Sequence, residues 1–251
     1  MQQLTVVITG APAWLGEIRE HLQAAGFAVK VYADKARYVA RLADNGAALV
    51  LVDGDDSAWQ FWTVTPKTSP ATRRIPVIVI GGDAEQAKLA GADGVYPREV
   101  VGAELAARLR EMARTMSDQA RAELLEQCDD PLPPEAVEAI ERFNNGEYYR
   151  QHDLFEALWM DDPRPVRDLY RAILQVGIAY YQIERGNWRG AHKMLLRSVQ
   201  WLALLPDVCQ SVDIAALRED SARVRAELER VGEDGMAAFD KGLLKAVKRV
   251  G

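Results

Sequence analysis

The chain has 251 residues, 49% of them hydrophobic and 27% charged, with a net charge of -6. Such a length allows one large or two ordinary domains with real cores, and such a composition is that of a soluble globular protein. An acidic balance argues against a chain built to neutralise phosphates, and no apolar run reaches the roughly 20 residues that span a bilayer. The first residues, MQQLTVVITGAPAW, lack the basic opening and long apolar core of a signal peptide, so a cytoplasmic location is expected. Cys128 and Cys209 are the only cysteines, and two such isolated residues indicate no disulfide framework. Zinc-type cysteine clusters, a P-loop and aromatic–basic interleaving are all missing, so neither a cofactor nor a nucleic-acid partner is expected. The basic KGLLKAVKRVG near the end reads as cations in a last helical turn, where they complement the helix dipole.

Taken in order, residues 1–114 alternate strand and helix. LTVVIT (4–9) is a β-branched run bounded by Gly10, and AWLGEIREHLQAAG (13–26) has helical spacing with a glycine stop. FAVKVYA (27–33) alternates as an edge or half-buried strand does. DKARYVARLADNG (34–46) reads as helix, with Asp34 as N-cap and Gly46 just past the end. AALVLVD (47–53) and IPVIVIGG (75–82) are continuous apolar strands, GADGVYP (91–97) is a short fifth strand, and VGAELAARLREMAR (101–114) is a closing helix. Apolar strands separated by helices predict a parallel sheet covered on both faces. VVITGAPAWLG has glycines as a nucleotide-binding turn does, but not the G-x-G-x-x-G spacing, and no acid ends the second strand.

The order of these elements, Asp53 at the end of the third strand, and AKLAGADGVY followed by AELAARLREMAR resemble a response-regulator receiver domain over residues 3–114. The resemblance implies a flavodoxin-like fold and an acceptor aspartate at Asp53. Phosphoryl transfer to a carboxylate needs a metal and a cation to offset the negative charge. Here Thr9, Gly10 and Ala11 stand where the family has its acid pair, Gly81 or Gly82 takes the Ser/Thr position, and Arg98 takes the lysine position. The expectation is a degenerate receiver, kept for packing or partner binding, with Asp53 unphosphorylated.

Residues 115–131 read as a helical linker broken by DDPLPP, and everything from 132 to 251 as helix, an all-α bundle of five to seven helices. YYRQHDLFEALW (148–159) carries the chemistry. At helical spacing Tyr148, His152, Glu156 and Trp159 share an arc of roughly 80°, and Arg171, Gln175, Ile178 and Gln182 an arc of roughly 60° on the next helix. A short connection packs two such helices antiparallel, so the polar residues meet. The cluster is then a buried polar clasp, a small-molecule or anion pocket with Arg171 as its cation, or a metal or catalytic site that uses His152, Glu156 and His192. His21 reads as a surface or satisfied histidine.

FNNGEYYRQHDLFEALW and LYRAILQVGIAYYQIERGNWRGAHKML resemble a bacterial family of unknown function, numbered 309, over residues 132–206. Phe143, Asn144, Gly146, Tyr148, His152, Glu156, Trp159, Gln175, Gly186, Asn187, Gly190 and Ala191 carry the likeness. Asp153, Arg171 and Ala172 depart from the family's usual residues, and His192 is not one of its features. The resemblance implies a compact helical bundle and no particular reaction. GNWRGAHKMLLRS spaces small residues as a tetratricopeptide hairpin does, which marks close helix packing within a single unit.

The expected molecule is a pseudo-receiver joined to a helical bundle, acting as a non-catalytic signalling adaptor or scaffold with a protein partner, a second copy or a small ligand. The alternative is a small hydrolase-type or metal-assisted enzyme with its site at His152, Glu156, Arg171 and Gln175, where Glu156 or His152 is the general base.

Overall fold

Residues 3–250 are described from a computed structural model, in which the chain divides into two compact units, Met1–Thr115 and Met116–Gly251. In the first unit β1 (Leu4–Thr9), β2 (Phe27–Tyr32), β3 (Ala47–Asp53), β4 (Val77–Ile80) and β5 (Gly94–Tyr96) form one parallel sheet in the order β2-β1-β3-β4-β5. This is a doubly wound order whose direction reverses between β1 and β3, so their C-terminal ends open the usual crevice of such folds. Helices α1 (Leu15–Ala24), α2 (Tyr38–Asp44), α3 (Trp59–Thr68), α4 (Ala84–Leu89) and α5 (Ala103–Met112) alternate with the strands.

The strand sequences divide their buried side chains between the two faces of the sheet. Because successive residues point to opposite faces, Ile8, Leu49, Leu51, Ile78 and Ile80 meet Ile18 and Leu22 of α1 and Leu105 and Leu109 of α5. Val7, Val50, Val52, Val77 and Val79 lie on the other face with Tyr38, Leu42 and Trp62. All seven residues of β3 are buried.

Local chemistry moves some boundaries. Asp34 does not cap α2: its Oδ1 accepts from the Ala36 amide at 2.9 Å, the chain turns through Arg37 at φ 48°, and the helix starts at Tyr38. Gly46 does follow the helix in a left-handed conformation, φ 55°. α5 does not run on into the following segment. Ser117 starts a new helix, α6 (Asp118–Cys128), by accepting from the Ala120 amide at 3.1 Å.

In the second unit α6 is no mere linker, since its Leu124 and Cys128 belong to the core. Pro134 opens α7 (Pro134–Asn144), followed by α8 (Arg150–Asp161), α9 (Arg167–Glu184), α10 (Trp188–Leu202) and α11 (Ile214–Val231). α9 is the central element, buried on nearly every side, with Tyr170 and Tyr180 fully enclosed. α8 and α10 flank it.

Three expectations fail in this unit. A small antiparallel hairpin, β6 (Val208–Cys209) with β7 (Val212–Asp213), interrupts the helices, turning through Gln210 and Ser211 at φ 48° and 62°. The basic tail is not a helix end. After 3-10 turns at Met236–Ala238 and Lys241–Leu243 it runs extended, and the Asn144 side chain clamps Val247, donating to its carbonyl at 3.0 Å and accepting from its amide at 2.8 Å. Finally, Cys128 and Cys209 form a disulfide across a sequence separation of 81. Two cysteines so far apart show no spacing pattern; the pairing arises because the β6–β7 hairpin packs on the end of α6, with the Gln210 amide donating to the Cys128 carbonyl at 2.7 Å. A closed loop of that size stabilises the fold by about 4–5 kcal/mol on chain-entropy grounds.

Candidate functional site

At the C-terminal edge of the sheet Asp53 is 8% exposed and Arg98 reaches it. The Arg98 Nη2 lies 3.1 Å from Asp53 Oδ1 and 2.8 Å from Asp55 Oδ2, so one guanidinium ties two carboxylates. Hydrogen bonding to Asp53, reinforced by its charge, raises the Arg98 pKa above its already high ordinary value, and the cation is permanent. Glycine lets the loops close over this point: at Gly82, φ 68°, a Cβ would lie 2.6 Å from the Gly54 carbonyl oxygen. Thr9 donates to the Leu51 carbonyl at 3.3 Å, and Asp83 caps the short α4 by accepting from Glu85 and Gln86.

In the second unit a cleft of about 420 Å³ lies over α9, between α8 and α10. Its floor is Leu174, Gln175 and Ile178, with Arg171 at one end. The α8 side presents Tyr149, His152, Glu156 and Trp159, and the α10 side Met194 and Arg197. So His152, Glu156, Trp159, Arg171 and Gln175 do come together. Tyr148 does not join them. Gly146, at φ 79°, reverses the chain, α8 starts only at Arg150, and Tyr148 turns inward against Phe143 and Tyr180, at 5.3 and 5.4 Å between ring centroids. Burial there raises the Tyr148 pKa, with Glu184 adding to the shift. Its neighbour Tyr149 takes the place at the cleft, beside His152 and 5.3 Å from Tyr181.

The guanidinium of Arg171 is held between two indoles, 4.5 Å from the Trp159 ring and 3.8 Å from Trp201. Flat cation–π contacts on both faces leave the edge of the group, where its donors lie, as the direction for hydrogen bonding. His152 Nδ1 lies 3.2 Å from Asp153 Oδ1 and 4.0 Å from Glu156 Oε2. Gln175 is 4% exposed and its Oε1 has no hydrogen-bond partner; neither has the buried Nε1 of Trp159. The side chains expected to form a clasp thus surround an open space.

His192 belongs elsewhere. Its Nε2 lies 3.1 Å from Glu229 Oε1 of α11, and its ring stacks on Trp188 at 4.9 Å. Among the described residues, no three of His, Cys, Asp and Glu converge in a metal-ligating group.

The turn from α9 to α10 shows what RGNWRGA does. Gly186 adopts φ 69°, and Asn187 caps α10 by accepting from the Gly190 amide at 3.0 Å while donating to Gln182 Oε1 at 2.8 Å. A Cβ at Gly190 would lie 2.6 Å from Asn187 Nδ2. Ala191 is fully buried, which brings α10 close to α9 and sets Met194 and Arg197 along the cleft. In the sequence, the signal that places Met194 and Arg197 on the face of Trp201 is their 3.6-residue period along α10.

No curated protein matches the chain. Residues 136–194, from α7 to α10 and so including most of the cleft, match the family described as Domain of unknown function (DUF309).

Proposed function

We propose that the chain is a non-catalytic signalling adaptor. In this reading the helical unit binds a small ligand in the α8–α9–α10 cleft. The α/β unit is a pseudo-receiver, a receiver-like module that engages a protein partner or a second copy without phosphorylation. The observation that carries the ligand reading is the cleft itself: five polar or aromatic side chains from two helices converge on a space of about 420 Å³, with the Gln175 Oε1 unpaired among them. Sites for small molecules have this character, mostly apolar walls with a few convergent polar groups. The receiver-like reading is supported by the strand order and by Asp53 at the edge of β3. Loss of phosphorylation is supported by Arg98, which fills the space beside Asp53 with a fixed cation that also takes Asp55. The proposed compartment is the cytoplasm; no helix among the described residues is long and apolar enough to cross a membrane. The Cys128–Cys209 bridge makes that assignment testable, since glutathione keeps most cytosolic thiols reduced.

The test of the pseudo-receiver is incubation of the full chain and of Asp53→Asn with acetyl phosphate and Mg²⁺. Intact mass and light scattering are expected to show no phosphoryl adduct and one unchanged oligomeric state in both. An adduct on the wild type that Asp53→Asn abolishes would sink the reading.

A further inference from the structure

The cleft has a direction. Trp159 meets Arg171 at one end and Tyr149 meets Tyr181 at the other, so α8 runs antiparallel to α9 and Glu156 stands beside Gln175. Arg171 also meets Trp201, which aligns α10 on the opposite flank and sets Arg197 one turn from that contact, on the far side of Gln175. One lip therefore carries Glu156, with His152 and Asp153 a turn away, and the other carries Arg197 with Arg171 at its end. Between them lie Leu174 and Ile178 on the floor and Met194 on the wall. The Oε1 of Gln175, an acceptor without a partner, lies in that floor.

From this arrangement we infer that the cleft binds a zwitterionic amino compound with an apolar side group, of which a free aliphatic α-amino acid is the simplest member. The inference rests on the ligand-binding reading proposed above. The ammonium group pairs with Glu156, and an N–H of the same group serves the Gln175 oxygen after a small rotation of the amide. The carboxylate faces Arg197 and the edge of Arg171. The side group covers Ile178, Leu174 and Met194. Opposite charges on the two lips disfavour a simple anion, which would meet Glu156, and a simple amine, which would meet Arg197. Either would meet a like charge on one lip and forgo an ion pair on the other, which is how a polar site rejects an analogue lacking one group.

The experiment uses the full chain and three probes: L-leucine, N-acetyl-L-leucine, which lacks the ammonium, and L-leucinamide, which lacks the carboxylate. Binding is followed by the NMR signal of the Trp159 indole N–H, assigned with Trp159→Phe. L-leucine is expected to shift that signal in a saturable way, and each neutralised analogue to bind at least about tenfold more weakly, the loss of one ion pair. Glu156→Gln should remove the preference over N-acetyl-L-leucine alone, and Arg197→Gln the preference over L-leucinamide alone. Both variants should melt within about 2 °C of the wild type, as substitutions at accessible positions do. If one analogue binds as well as L-leucine, the zwitterion is wrong and the cleft remains a ligand site. If none of the three shifts the indole signal, the zwitterion and the ligand reading of this cleft fall together.

Discussion

At position 177 a single missing methyl group decides how closely α8 approaches α9. A Cβ there would lie 2.5 Å from the Nε2 of Gln151 and 3.1 Å from Phe143. Gln151 is fully buried and its Nε2 donates to the Tyr148 carbonyl at 2.8 Å, so it has no room to withdraw. Gly177→Ala gains about 1 kcal/mol of helix propensity but overpacks a tight contact at a cost of about 1–3 kcal/mol. The 2.5 Å approach to a buried side chain puts the overpacking in the upper half of that range, so we expect a net loss of about 1–2 kcal/mol. The midpoint of urea unfolding reads it, and an unchanged or higher midpoint would contradict this account. The same scale shows what residue spacing can and cannot reveal. His152, Glu156, Trp159, Arg171 and Gln175 lie where a period of 3.6 puts them, along one cleft. Tyr148 lies off that arc because the left-handed backbone at Gly146 resets the phase and α8 begins only at Arg150, so the period does not extend back to it. Gly177 itself gave no signal, since a glycine inside a helix looks like a weak helix former until its neighbours are known.

Elements were legible where their own residues determine them. The three inner strands, β1, β3 and β4, follow from runs of isoleucine, leucine and valine that are buried on both faces, with β2 and β5 at the edges. α3 carries no helical signature of its own, because WTVT is rich in β-branched residues and Pro66 stands near its end; packing of Trp62 and Thr63 overrides that local preference. The β6–β7 hairpin was hidden for the opposite reason. Its turn places Gln210 and Ser211 in a left-handed conformation usually marked by Asn-Gly, so no turn signal precedes the pairing. The extended tail depends on an element far away in sequence. Asn144, one residue after the core residue Phe143, is the clamp on Val247, while the Lys248 carbonyl accepts from Asp213 at 3.0 Å. Asn144→Ala removes both bonds of the clamp at a cost of about 1–2 kcal/mol. The expected result is faster amide exchange at Val247 and at Asp213, with α8 and α9 protected as before. Unaltered exchange in the tail would show that the buried Val247 side chain and the backbone bonds of Lys248 and Val250 hold it without the clamp.

For the helical unit as a whole, the covalent bridge is the largest feature that sequence left unseen. Its contribution enters through the unfolded chain, which a closed loop restricts, and so no local pattern announces it. Reduction, or Cys128→Ser with Cys209→Ser, is expected to destabilise this unit by up to about 4–5 kcal/mol, less if its unfolded chain retains structure. Thermal melts with and without reductant measure the difference, and identical melts of fully alkylated and untreated protein would argue that the bridge is not formed. The bridge also has a mechanical meaning. α7, α8, α9 and α10 all lie inside the ring between Cys128 and Cys209. Along the covalent chain, tension between the two ends of this unit passes from Cys128 straight to Cys209, so it cannot pull those helices out to full length. Pulled to full length, the oxidised chain is shorter by about 280 Å, the reach of 81 extended residues. The cleft therefore sits in a segment that pulling cannot extend and that a single proteolytic cut cannot set free.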